Sequence, residues 1–332
     1  MKKHIGTKGF GHHFILPVLA IIAVAAIGFL TLKLSHAATG TGGAPFTVAT
    51  YNIRATRLSK SAWDDKRANA IVAYIKTVDI VGLQETQRET VNIGTKHKSV
   101  NVANRSESWL TEKLTAAGYS RSAPTVSPRY GEHKYDNGED RVIFWNNQKF
   151  TLLTQGQNPV ADDNKSNDEI ASEGNESLSK HRNLVWVKLR ETATGNVFYF
   201  MTTHLTWGGS TATYKPVRGE QIAQILQYAD ARMTDAPIIF VGDMNSRSGS
   251  KEDKAIRSGG FSDAYRIAIT KQNMKYSTAI SNFKGGLTGD VNTTDGRHID
   301  HIYVKNAVSV KRIKVVEQKG SDHLPVEADV SL

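Results

Sequence analysis

Four apolar runs in this chain each end in side chains that can bind a metal or carry a proton. Thr47 to Tyr51 leads into Asn52, Ile80 to Leu83 into Gln84-Glu85, Phe198 to Thr203 into His204, and Ile238 to Val241 into Gly242-Asp243-Met244-Asn245. Two further groups precede such runs: Asp300 in His298-Ile299-Asp300-His301, and Asp322-His323 in Ser321-Asp322-His323-Leu324-Pro325-Val326. Brought to one edge, these would combine carboxylates, amides and two imidazoles. The chain has no cysteine, so a bound metal must take oxygen or imidazole ligands, which favours hard cations. Mg²⁺ suits a phosphate substrate, because it keeps several waters and needs only one or two protein carboxylates besides the substrate oxygens. A phosphodiester also needs an activated water, a stabiliser for the charged intermediate and an acid for the leaving oxygen.

Each element has a plainer reading. Asn52, or Gly242 to Asn245, fits an ordinary turn; His204 fits a satisfied interior histidine; Ser321-Asp322-His323 fits a loop or N-cap cluster. Six such groups at the ends of apolar runs point to chemistry far more strongly than any one alone.

The elements that must position them are legible in outline. Ser61 with Asp64 reads as a capping box, followed by the stripe Ala68, Ile71, Val72, Ile75 of a helix. Ser106 to Ala117 repeats the pattern and ends at Gly118, suited to a left-handed cap. A third helix is expected over Val217 to Met233, on the stripe Ile222, Ile225, Leu226, Ala229. Leu184 to Arg190 and Val197 to Thr203 read as a hairpin around Thr194-Gly195-Asn196. Ile302 to Val304, Val310 to Val316 and Val326 to Val330 are short and β-branched, as strands are. Thr125 to Asp140 and Gln155 to Arg182 read as long surface loops. Hairpins mixed with helix-strand units indicate mixed, largely antiparallel sheets covered by helices, and no linker or repeat divides Phe46 to Leu332.

Of the 332 residues, 42 are basic and 32 acidic, a net charge of +10, and 39% are hydrophobic. That balance excludes a wholly disordered chain and a polytopic membrane protein. Residues 1–37 have a composition of their own. Lys2, Lys3 and Lys8 precede Phe14 to Leu32, 19 residues without charge. The segment reads either as a Sec-type signal ending near Ala37 or as an uncleaved anchor with its basic end in the cytoplasm. Both put residues 46–332 outside the cytoplasmic membrane, secreted or held on its outer face, after a Gly/Thr linker over residues 38–45. The 42 basic residues less Lys2, Lys3, Lys8 and Lys33 leave 38 against 32 acidic ones, or +6. A modest basic excess favours an anionic partner such as nucleic acid or a phospholipid surface.

The set Tyr51-Asn52-Ile53-Arg54, Leu83-Gln84-Glu85-Thr86, Thr203-His204-Leu205, Gly242-Asp243-Met244-Asn245, Arg297 to Ile302 and Ser321 to Val326 resembles the endonuclease/exonuclease/phosphatase superfamily, whose type member is pancreatic deoxyribonuclease. The resemblance covers about Phe46 to Leu332. It implies a DNase I-like α/β fold, a four-layer α/β/β/α sandwich of two mixed, largely antiparallel sheets, with a Mg²⁺- or Mn²⁺-dependent phosphoesterase site where loops of the two sheets meet. It further implies Glu85 as the principal metal ligand with Asn52 and Asp322 nearby, and Asp243 and Asn245 holding the attacking water and phosphoryl oxygens. His323 would pair with Asp300, and His204 with a carboxylate for which Glu139 is the match. Arg54 and Arg182 match phosphate-contacting arginines of the deoxyribonuclease branch, whereas Gln87 stands where that branch has another arginine. The expected function is an exported, monomeric nuclease acting on DNA or RNA. The alternatives are a phospholipid or sphingolipid phosphodiesterase or an inositol-phosphate phosphatase, with Trp207-Gly208-Gly209 as a small apolar tip for a membrane, and a noncatalytic module that keeps the fold.

Overall fold

The computed structural model describes residues 43–54, 65–87, 106–123, 139–160, 182–207, 214–279, 297–318 and 320–332. The basic and apolar N-terminal segment, Ser61 and Asp64 of the expected capping box, and most of the two polar stretches lie outside them. Among the described residues no helix is long and apolar enough to cross a membrane.

Thirteen strands form two sheets among the described residues. The first has the order β10 (Thr270–Gln272), β12 (Ser309–Val315), β13 (Val326–Ser331), β1 (Phe46–Asn52), β2 (Ile80–Gln87), β4 (Glu139–Asn146), β3 (Tyr119–Arg121). The second runs β5 (Phe150–Val160), β6 (Arg182–Glu191), β7 (Val197–His204), β8 (Ile238–Asp243), β11 (Asp300–Lys305), β9 (Ser262–Asp263). Only β1 with β2, β10 with β12 and β7 with β8 pair in parallel; the other pairings are antiparallel.

Strand periodicity builds the layers, since alternate side chains leave opposite faces. Phe46 and Val48 of β1, Phe198 and Phe200 of β7, and Ile239 and Val241 of β8 share one buried core between the sheets. The alternate residues Ala49 and Tyr51 pack beneath α1 (Asp65–Ile75) and α2 (Ser106–Thr115), through Ile71, Ile75, Leu110 and Leu114. On the other side, Tyr199, Met201, Ile238 and Phe240 pack against Ile222, Ile225 and Ala229 of α3 (Tyr214–Arg232) and Ile256 of α4 (Lys251–Ser258). One apolar stripe per helix and two faces per sheet therefore give four layers, α/β/β/α, as the resemblance implied. A short α5 (Ala264–Ile267) follows β9.

Several boundaries differ from the sequence reading. Gln155 to Val160 is strand, because β5 pairs with β6 along its length to Val160↔Arg182. Backbone pairing prevails there over a polar sequence, and Pro159 is tolerated because β5 lies at the sheet edge. Glu139 and Asp140 likewise open β4 instead of ending a loop. Helix α3 starts at Tyr214, so Pro216 falls in its first turn, where a missing N–H costs nothing. Helix α4 was not expected, since Ile256 is its one buried apolar residue; its N-cap Ser250 accepts from Asp253 N.

Candidate active site

The apolar alternation that builds the inter-sheet core also delivers the site. Asn52, His204, Asp243 and Asp300 continue, two residues on, the rows Val48 and Thr50, Phe200 and Thr202, Ile239 and Val241, and, read backwards, Val304 and Ile302. All four therefore leave their strands on the face between the sheets. Register then aligns three of them, for Asp243 stands opposite both His204 and Asp300. Asn52, Asp300, Asp243 and His204 are all buried. Gly242 permits the close approach of β8 to β7 at this point, because a Cβ there would lie 2.2 Å from the Thr203 carbonyl oxygen.

Glu85 arrives by a different device. Alternation alone would turn it under α1 and α2 with Val81 and Leu83. A bulge between Leu83 and Thr86, with Glu85 at φ +54°, re-aims the side chain. Arg54 and Asn245 also have positive φ, at +46° each. Left-handed backbone is costly for Arg and Glu, and such strain concentrates at functional sites. Behind Glu85, Gln84 is buried between the sheets and donates to the Gly82 carbonyl at 3.0 Å and to Thr202 Oγ1 at 2.9 Å, tying β2 to the opposite sheet.

The Asn52 amide draws two carboxylates together, donating to Glu85 Oε1 at 3.1 Å and Asp243 Oδ2 at 3.0 Å, while its own oxygen accepts from Arg54 N at 3.0 Å. Asp243 Oδ2 stands between two imidazoles, 3.4 Å from His204 Nε2 and 3.7 Å from His323 Nε2. His323 Nδ1 lies 2.9 Å from Asp300 Oδ2, the pair that the resemblance implied. Burial pushes the His323 imidazole down, but the Asp300 and Asp243 carboxylates outweigh it and hold the group well above its usual range. Burial raises the Asp300 carboxyl, His323 works against that, and Asp243 adds to it. Asn245 N donates to Asp243 Oδ1 at 2.9 Å, and its side chain donates to the Leu205 carbonyl at 2.9 Å.

The loop carrying Asp322 and His323 is fastened to β1. Ser321 Oγ donates to the Asn52 carbonyl at 2.7 Å and accepts from His323 N at 3.2 Å. Arg54 Nη1 donates to Asp322 Oδ2 at 2.5 Å, so Asp322 meets the arginine directly. From α1 the buried Arg67 donates to the carbonyls of Ile53 and Gly320, clamping the segments that carry Arg54 and Asp322. Thr278 Oγ1 accepts from the backbone N–H of Ile299 and Asp300 at 3.0 and 3.2 Å and sets the start of β11. Sequence reasoning missed the supporting roles of Gln84, Arg67 and Thr278; only Gln84, inside Leu83-Gln84-Glu85-Thr86, carried a signal.

Arg54, Glu85, Arg182, Trp207, Asn245 and Asp322 line, with Asp243 and the two histidines, a cleft of about 90 Å³. Glu139 begins β4 with its backbone opposite Gln87; its side chain, and so its expected pairing with His204, lies outside the described ones. Among the described residues one atom from each of Asp243, Asp300 and His323 falls within 4.8 Å of the others, a grouping able to hold a metal ion. Glu85 and Asp243, drawn together by the Asn52 amide, add a carboxylate corner of the kind hard divalent cations take.

Carboxylates, amides and paired imidazoles at one end of a two-sheet sandwich are groups that phosphate-ester hydrolysis can use. The sequence matches the endonuclease/exonuclease/phosphatase family over residues 49–323, and the chain belongs to that family, whose members are phosphoesterases that generally use divalent metals. The fold is DNase I-like. It is similar to an endonuclease/exonuclease/phosphatase family protein from Bacteroides thetaiotaomicron, 21% identical over 88% of this chain and 99% of that one, with a TM-score of 0.64. It is also similar to a mannosyl-6-phosphatase from Bacteroides thetaiotaomicron, at 22% identity, 86% and 99% coverage and a TM-score of 0.61. D. rerio TDP2 complexed with a single-strand DNA product is similar at 17% identity, 87% and 99% coverage and a TM-score of 0.56. No curated protein matches the sequence significantly.

Proposed function

We propose that this chain is an exported, divalent-metal-dependent nuclease that hydrolyses phosphodiesters of DNA or RNA. The observation that carries the reading is the Asp243 carboxylate between two imidazoles in a cleft that Arg54 and Arg182 also line. Asp300 holds the His323 tautomer with the proton on Nδ1, which leaves Nε2 towards Asp243 and the reacting atoms. Asp243 and Asn245 position the attacking water and the phosphoryl oxygens, and the two imidazoles move the protons that water gives up and the leaving oxygen takes. Arg54 and Arg182 contact substrate phosphates. Glu85, with Asn52 and Asp322 close by, would hold Mg²⁺ or Mn²⁺, which when bound would polarise a phosphoryl oxygen and offset its developing charge. The net charge of +6 outside the N-terminal segment supports an anionic polymer as substrate. Export rests on the uncharged run Phe14 to Leu32 behind three lysines, as signal or as anchor; the catalytic domain, residues 46–332, acts as a monomer.

Nicking of supercoiled plasmid in Mg²⁺, beside His323→Ala and an EDTA control, tests this. Metal-dependent nicking lost in the variant supports the nuclease. If the folded protein leaves plasmid and RNA intact but releases phosphocholine from liposomes, or phosphate from inositol phosphates, the substrate is a lipid or a monoester.

A further inference from the structure

Trp207 stands three residues after His204, lines the same cleft as the two arginines, and keeps 60% of its surface in solvent. The other large apolar side chains exposed among the described residues, Leu153, Ile267 and Ile269, do not line that cleft. Leaving an indole in water forfeits the free energy of burying it, and the ground beneath this one is unusually firm. Thr206 is buried and held on all its polar atoms: its N–H donates to Gln221 Oε1 at 3.0 Å, its hydroxyl accepts from Gln221 Nε2 at 2.8 Å, and its carbonyl accepts from Arg218 Nη1 at 3.3 Å. Arg218 is itself fixed, 3.2 Å from Glu252 Oε1 of α4. One residue earlier, Leu205 N donates to the Asp243 carbonyl at 2.9 Å, and the Leu205 carbonyl takes the Asn245 amide. The backbone that presents Trp207 is therefore locked to α3, α4 and the Asp243 strand end.

We propose that Trp207 is a stacking platform for an unpaired nucleobase beside the scissile phosphate, so that the cleft favours an unpaired strand, or a locally opened one in a supercoiled plasmid, over closed duplex. The inference rests on the nuclease reading above and narrows its substrate. An indole on a fixed backbone, in one cleft with two guanidinium groups, matches a ligand in which a flat π-face is tied to a phosphate at short range; stacking serves the first and the arginines the second. Every base has such a face, so the platform carries little sequence preference, whereas in a duplex both faces are covered by neighbouring pairs. Holding the backbone that carries the indole reduces the entropy lost on binding. Among the described residues Trp207 is the one exposed large apolar side chain that lines this cleft, which is little apolar surface for entering a bilayer.

The test compares the full chain with Trp207→Ala and Trp207→Phe, in Mg²⁺, on single-stranded oligothymidylate and on a strand of the same length made of abasic residues. The wild-type protein should prefer the base-bearing strand in kcat/KM. Trp207→Ala should narrow that preference about 5- to 100-fold, chiefly through KM, and Trp207→Phe should restore much of it. In EDTA, oligothymidylate should quench the intrinsic fluorescence of the wild type, and less so that of Trp207→Phe. Cleavage of oligothymidylate with a preference that Trp207→Ala does not change overturns the platform and leaves the nuclease standing. Equal loss on both strands also overturns it, assigning Trp207 to the architecture of the site. Quenching by mannose 6-phosphate as strong as by oligothymidylate overturns it in favour of a sugar ring. If the wild-type protein cleaves neither strand, the nuclease reading fails first and this inference with it.

Discussion

Asp300→Asn isolates what one buried carboxylate does for the site. Asp300 is fully buried, does not line the cleft, and meets His323 Nδ1 at 2.9 Å. Asparagine has the same shape, and the backbone bonds from Ile299 and Asp300 to Thr278 Oγ1 do not involve the carboxylate. Two things change. The imidazole loses the nearest of the three carboxylates, Asp300, Asp243 and Asp322, that hold its affinity for protons well above the ordinary range, and an amide that donates to Nδ1 can select the wrong tautomer. A hydrogen bond to a charged group is worth about 1.5–3 kcal/mol, roughly 10- to 150-fold, and positioned acid–base catalysis contributes about 10²- to 10⁴-fold in all. Asp243 remains beside the ring at 3.7 Å, so part of the effect survives. The expected loss in kcat is about 10²-fold, with KM changed less than about threefold, because Asp300 does not touch the cleft. The alkaline limb of the pH–rate profile should move to lower pH. Steady-state kinetics on an oligonucleotide, with thermal unfolding as the control for folding, measures all of this. A kcat within twofold of wild type, or a loss carried entirely by KM, would refute the reasoning.

Other consequences follow from the same geometry. Gly82→Ala would put a Cβ 2.7 Å from both Thr202 Oγ1 and Val241 Cγ2 of the opposite sheet, in the middle of the sandwich. Overpacking there should cost about 1–3 kcal/mol and lower Tm by about 2–8 °C, and an unchanged Tm would show that the sheets can part. His323 has a raised affinity for protons in the folded state, so its stabilising contribution is complete below the unfolded value of about 6.5 and is lost as pH rises through the folded one. Urea unfolding in EDTA of wild type and His323→Gln from about pH 6 to 10 should therefore converge as pH rises, and a constant difference would contradict the pairing. Arg67→Gln, which removes the charged clamp on the Ile53 and Gly320 carbonyls, should lower kcat about 10-fold with part of it restored in Arg67→Lys; equal activity in all three proteins would show that the clamp does not position the site.

Much of the site was legible because it repeats the rule that makes the core. A β-branched or aromatic run whose next same-face position is Asn, His or Asp announces a strand leaving the sandwich with a polar side chain at its end, and Asn52, His204, Asp243 and Asp300 all do so. The hydrophobic stripes of α1 and α3 were visible for the same reason. What stayed hidden depends on pairing across long separations. Nothing local says that Asp243 will stand between His204 and His323, or that Asp322 will take Arg54. The bulge at Glu85 cannot be read from a strand pattern, since the re-aimed side chain breaks the alternation. Strand β5 was missed over Gln155 to Val160 because an edge strand takes its order from β6, and α4 because charged residues and a serine cap outnumber its single buried isoleucine.

In the proposed function Glu85, re-aimed by the bulge in β2, anchors the divalent metal on which phosphodiester cleavage would depend. The most direct measurement is Mg²⁺-dependent cleavage of plasmid and oligonucleotide by purified Glu85→Ala, freed of contaminating nuclease and shown folded by its unfolding transition. Cleavage should fall by at least about 10³-fold, as expected when transition-state charge loses its stabiliser. Full activity in the folded variant would contradict it.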